Sequence, residues 1–168
     1  TRMPNHPMVI HGSLVSCLAE LIRRGRKSAL LSFSVGPVQG FINASRRLSD
    51  LWAGSYLLSE SLWESIIPIV ETLGPDHVVY PSLRGQALVD RWLVERWSKD
   101  SYREVFSRGL LGDVKSTMEK QLYRRLRIPS FPNRFVALVP ADEVEDLAAR
   151  CQERVYSFWR DRSTKAIE

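Results

Sequence analysis

The sequence predicts an α+β chain, on three observations. Three short β-type runs, at 29–35, 77–83 and 134–140, are set among much longer segments whose apolar residues recur every three or four positions. Turn residues flank each run: Gly36-Pro37 follows the first, Gly74-Pro75-Asp76 precedes the second and IPSFPN precedes the third. The resulting order is strand, helices, strand, helical insertion, strand, helix.

The first element is a helical leader within 1–28. Leu14 to Ile22 carries apolar residues at helical spacing, and the basic knot RRGRK at 23–27 offers Gly25 as its stop. Ala29 to Val35 alternates small and apolar residues and reads as the first strand. From Val38 to about Leu73 helical periodicity returns, with a break expected at Trp52 to Ser55, where Gly54 lowers helix propensity. His77 to Leu83 is β-rich, and Pro81 ends it or leaves it on a sheet edge. Residues 91–127 read as a charged helical insertion anchored by Trp92, Trp97 and Tyr102. Arg134 to Pro140 is the clearest strand, and Ala141 to about Asp161 is a helix with an acidic start and a basic end, as the macrodipole favours. Residues 29–168 thus form one domain on a split βαβ, ferredoxin-like plan. The last strand of that plan is missing from the pattern, so it is expected outside this segment unless another segment covers that edge.

The chain has 168 residues and 44% hydrophobic content, enough for one ordinary core. Its charge is +5, and of 24 basic residues only five are lysines, a balance suited to phosphates or an acidic partner. Cys17 and Cys151 have neither zinc nor CxxC spacing, which suits a reduced compartment. No apolar run nears the roughly 18 residues a spanning helix needs. A cytoplasmic, soluble protein is expected.

The stretch GPVQGFINASRRLSDLWAGSYLLSES at 36–61 holds the densest local chemistry. Gly36 permits close approach of a ligand or another backbone, and free N–H groups after Pro37 favour an anion. A turn after a strand is also commonly only a turn. Arg46 and Arg47, read as helical, would lie about 100° apart, so one must look outward; the alternatives are a solvated face or a phosphate contact. Asp50, four residues after Arg46, has an i,i+4 ion pair as its ordinary role. Trp52, Tyr56 and Trp63 read as core or interface aromatics. His6 and His11 lack neighbouring carboxylates, so no metal site is expected there.

Taken together, Gly36, Pro37, Val38, Gln39, Phe41, Ile42, Arg46 and, Ala53 apart, the run from Asp50 to Ser59 resemble the signature of the large subunit of type III-B CRISPR (Cmr) effector complexes. The segments YPSLRGQALVDRW at 80–92 and PNRFVALVP at 132–140 are similar to further family segments in the same order. The leader is more loosely similar to the start of an HD-type region, with Ile10 where an aspartate would precede the second histidine.

The resemblance implies the first of two palm domains. In that family the second palm carries a Gly-Gly-Asp-Asp motif and makes cyclic oligoadenylate from ATP when target RNA is bound. Here Ser34-Val35-Gly36-Pro37 stands where a working palm places a metal-binding aspartate. ATP is therefore expected to bind jointly with the second palm, and Mg or Mn only through that companion. The implied nucleotide-binding residues are Gly36, Pro37, Val38, Gln39, Arg46, Asp50 and Ser55, the last two by holding the motif's own turn, with no catalytic residue and no metal ligand in this chain. Arg124, Arg125, Arg127 and Arg134, with Lys120, are the candidate contacts to RNA or a neighbouring subunit, although arginines at a helix end are commonly just solvated. Implied partners are the second palm, other Cmr subunits, guide RNA and target RNA, and no membrane. The alternative is a scaffold that holds a subunit or guide RNA without nucleotide; a nuclease is disfavoured by the leader's missing ligands.

Overall fold

Helix α1 covers Met8–Arg23 and ends as the sequence predicts. Gly25 adopts φ of 62°, the Gly25 N–H donates to Ile22 O and the Arg26 N–H to Leu21 O, which together close the last helical carbonyls. Arg26, delivered by that turn, pairs with Asp142 and Glu143 across the fold. The computed structural model describes residues 8–96 and 129–167. The expected insertion is therefore described only through its first helix, and Trp97 and Tyr102 lie outside the described residues.

Strand β1, Ser28–Ser34, pairs antiparallel with β3, Arg134–Pro140, in unbroken register from Ser28 opposite Pro140 to Ser34 opposite Arg134. The short β2, Val78–Tyr80, pairs antiparallel with the other side of β3 through an irregular register. The sheet order is β1-β3-β2, with β1 and β2 therefore parallel to one another and β3 between them. That is a small antiparallel sheet consistent with a ferredoxin-like plan. β2 is an edge strand and Pro81 follows its last residue, as a residue without a backbone donor requires.

Period-two alternation assigns the faces. Leu31 lies opposite Ala137 and Phe33 opposite Phe135, whose rings stack at 5.5 Å, so these side chains point inward. Against them pack α3, Leu48–Thr72, and the last helix α5, Val144–Ile167, with Leu62, Trp63, Ile66, Ile69, Leu147 and Cys151 buried between the layers. Trp63 meets Trp92 of α4, Ala87–Arg96, edge-on and stacks on Phe131. On the opposite face, Leu30 is 69% exposed. There α1 reaches the sheet near β2: buried His77 donates from Nδ1 to the Leu138 carbonyl at 2.7 Å, with the Cys17 thiol 3.4 Å from the same nitrogen.

The helical break falls elsewhere than expected. The six-residue α2, Val38–Asn43, ends before residues 44–47, and α3 then runs straight through Gly54. Gly54 is buried because α2 packs there: a Cβ on it would stand 3.2 Å from the Phe41 ring. Its role is close approach between helices, which outweighs the roughly 1 kcal/mol of helix propensity that glycine gives up.

Candidate functional site

The Gly36-Pro37 turn leaves the sheet directly from β1. The Val35 N–H donates to Asn133 O at 2.9 Å and Arg134 faces Ser34 in register, so the turn and Arg134 share one end of the sheet. Gly36, Pro37, Gln39 and Arg134 are exposed and Val38 is half-buried. Gly36 has no positive φ, and a Cβ there would meet nothing within 4 Å. Neither backbone conformation nor crowding by the rest of the fold therefore demands glycine at this turn.

Arg46 and Arg47 are not on a helix face. Both lie in the link between α2 and α3, both are exposed, and neither forms an ion pair among the described residues. The expected Arg46–Asp50 helical pair is replaced by a cap, because Asp50 sits in the first turn of α3 and its Oδ2 accepts the Arg47 backbone N–H at 3.1 Å. At a rise of about 1.5 Å per residue, six-residue α2 is roughly 9 Å long, with the Gly36 turn before its first residue and Arg46 in the link after its last. The Ser55 hydroxyl donates to Leu51 O, one turn back within α3, rather than holding a loop. Arg124, Arg125 and Arg127, with Lys120, lie outside the described residues, as does His6.

Residues the sequence reading assigned no role hold this region in place. Phe41 enters the space above Gly54 and meets Trp159 of α5 edge-on at 5.7 Å. The Trp159 indole N–H donates to Ser61 Oγ, and Ser59 donates to the Phe131 carbonyl. The available signal was Phe41 and Gly54 thirteen positions apart within one motif; nothing local pointed to Trp159. Trp52, read as core or interface, is 52% exposed and stacks on Tyr56 at 5.7 Å. Leu48, at 82%, extends the same apolar ledge.

From Ser34 to Ser49 the chain carries no carboxylate. Among the described residues no three His, Cys, Asp or Glu side chains lie close enough to hold a metal ion. What this surface offers chemically is backbone and amide donors, guanidinium charge and aromatic area, which suit binding.

A small antiparallel sheet backed by two long helices, with Arg134 exposed at one end of the sheet, makes an α+β module consistent with a palm-like arrangement. Residues 30–163 match the family described as CRISPR-associated protein Cmr2, N-terminal, and the chain belongs to that family. It is 29% identical over 168 residues to the CRISPR system Cmr subunit Cmr2 of Pyrococcus furiosus, covering all of this chain and 16% of that protein. It is 30% identical over 141 residues to the corresponding subunit of Saccharolobus solfataricus, covering 79% of this chain and 13% of that one. Both relatives are thus several times longer than the chain. A cryo-EM structure of the type III-B Cmr-beta bound to cognate target RNA superposes with a TM-score of 0.72 at 24% identity, over 95% of this chain and 18% of that one. That similarity concerns the fold. No helix among the described residues is long and apolar enough to cross a membrane.

Proposed function

We propose that this chain is the first palm portion of a type III-B CRISPR large subunit and lends a catalytically silent nucleotide half-site to cyclic oligoadenylate synthesis by a companion palm. The observation that carries the reading is the largely exposed, carboxylate-free stretch 34–49, with Arg46 in no ion pair among the described residues and Arg134 beside its start. Two-metal phosphoryl chemistry needs carboxylates to hold the ions, so such a surface fits binding and positioning of ATP and leaves Mg or Mn to the partner. The backbone of Gly36 to Gln39 would approach the nucleotide, and Arg46 would neutralise phosphate. Because Arg46 and the Gly36 turn lie at opposite ends of α2, they would touch different parts of the ligand. Asp50 and Ser55 support α3 from within and act indirectly. Family membership supports work inside a Cmr assembly with other subunits, guide RNA and target RNA.

Isothermal titration of ATP, with and without the companion palm, tests the reading. Binding is expected only with the companion and should weaken about tenfold in Arg46→Ala, the scale of one lost charged contact. Unchanged affinity in that variant, with folding intact, removes Arg46 from the site. A second reading, a scaffold that holds a subunit without nucleotide, is favoured by the exposed ledge of Leu48, Leu51 and Trp52, since contiguous apolar surface marks docking sites. Absence of ATP binding in both settings would select it.

A further inference from the structure

We infer that the cleft between the N-terminal half of α1, β2 and α4 is a binding site for a compact organic cation with an apolar body. None of residues 36–55 lines it, so it stands independently of the nucleotide reading. The cleft encloses about 400 Å³, within the usual range of small-molecule sites. Its walls are mostly apolar, from Leu14 of α1, Val78 of β2, Leu83 of the following loop, and Val89 and Leu93 of α4, with the hydroxyl-bearing Ser13 and Ser82 at the lining as well.

Two carboxylates break that wall, Asp76 from the 3₁₀ turn at Pro75–His77 and Asp90 from α4. Both are half-buried, and neither side chain has a hydrogen-bond or ion-pair partner among the described residues. Burial alone pushes the Asp90 carboxyl above its ordinary value. Desolvating a carboxylate without a counter-charge is unfavourable, and a cation that enters the cleft relieves the cost. Arg84 also lines the cleft but is exposed and pairs with neither aspartate. The arrangement therefore combines hydrophobic contact for a ligand's body with negative charge for an ammonium or guanidinium head. Asp76 and Asp90 belong to no group of three or more His, Cys, Asp or Glu side chains among the described residues, so no all-protein calcium cage of about six to eight oxygens is built there.

Titrating the 168-residue chain with phenethylamine at neutral pH, against 2-phenylethanol of nearly the same shape, tests the assignment. The amine should bind saturably with one site, and the alcohol about tenfold or more weakly, since a charge-assisted hydrogen bond is worth at least that factor. Asp90→Asn should weaken the amine by a similar factor, and Arg84→Ala should leave it unchanged or tighter. If Asp90→Asn fails to fold by circular dichroism, Asp76→Asn makes the same comparison. Equal affinity for amine and alcohol, no saturable binding, displacement by millimolar Mg²⁺, or full affinity in a folded aspartate variant would each overturn the assignment.

Discussion

Glu60 is a fully buried carboxylate among the described residues, and its removal gives the sharpest stability prediction. It lies in the middle of α3 with 2% exposure. Its Oε1 accepts from Arg91 Nη2 of α4 at 2.9 Å and its Oε2 from Arg162 Nη2 of α5 at 2.8 Å, while Arg91 Nη1 donates to the Tyr56 hydroxyl at 2.6 Å. One carboxylate thus ties three helices. Each charged hydrogen bond is worth roughly 1.5–3 kcal/mol when desolvated. The Arg91 and Arg162 side chains are 20% and 46% exposed, so water replaces part of what each loses. Discounting for that screening, Glu60→Ala should cost about 2–3 kcal/mol. For a chain of this size the melting temperature should fall by roughly 5–10 °C. Arg91→Ala should cost more than Arg162→Ala, because Arg91 is less exposed and also serves Tyr56. Urea denaturation of the three variants, with the wild-type m-value as a check on two-state behaviour, supplies the measurement. A Glu60→Ala midpoint indistinguishable from wild type, or Arg162→Ala costing more than Arg91→Ala, would refute the reasoning.

Gly54→Ala should be near neutral, since a propensity gain of about 1 kcal/mol offsets pressure on the Phe41 ring, whereas Gly54→Leu should destabilise by about 1–3 kcal/mol by displacing Phe41 from Trp159; thermal melts distinguish the two. Burial pushes the Cys17 thiol up to about 11 and the Cys151 thiol up to about 12, so both should resist alkylation at pH 8 until the chain unfolds. The unfolded chain releases those protons from about pH 9 and the folded chain does not, so stability should fall as pH rises from about 9 toward 11, and a double Cys→Ala variant should show a shallower decline. Hydrogen bonding to Arg26 holds the Asp142 carboxyl below its ordinary value, so this contact favours folding above about pH 4 and is lost as pH falls through the lowered pKa. Asp142→Asn should flatten the acid limb of a stability–pH profile, and an unchanged limb would discount the pair.

The strands and the outer helices were legible because their signals are local. Alternation fixed β3, the glycine after a basic helix end fixed the stop of α1, and Pro81 marked the end of an edge strand. The α2–α3 break was misplaced because propensity and packing compete at Gly54. A glycine inside a helix looks like a defect until the ring that fills its missing Cβ is known, and that ring lies thirteen residues away. The Glu60 cluster was illegible for the same reason, since its arginines lie 31 and 102 positions distant. Arg46 and Asp50 show the converse error. A spacing of four suggests a helical pair, yet the helix starts between them and the carboxylate spends itself on the cap.

That division separates two kinds of residue within the motif at 36–59. Phe41, Asp50, Gly54 and Ser59 each meet a partner inside the fold: the Trp159 ring, the Arg47 N–H, the Phe41 ring and the Phe131 carbonyl. Gln39, Arg46, Leu48 and Trp52 are exposed, and Arg46 forms no ion pair among the described residues. Substitution of the first group should lower stability and disturb any binding only through the loss of folded protein. Substitution of Gln39, Arg46 or Leu48 should leave the melt within about 0.5 kcal/mol of wild type, as surface changes do, and Trp52→Ala should cost about 0.5–1.5 kcal/mol more through the lost stack on Tyr56, while each alters what the surface holds. If Trp52→Ala stays folded but no longer joins the proposed companion palm, the ledge is a docking surface; if association also survives, Trp52 serves no such interface.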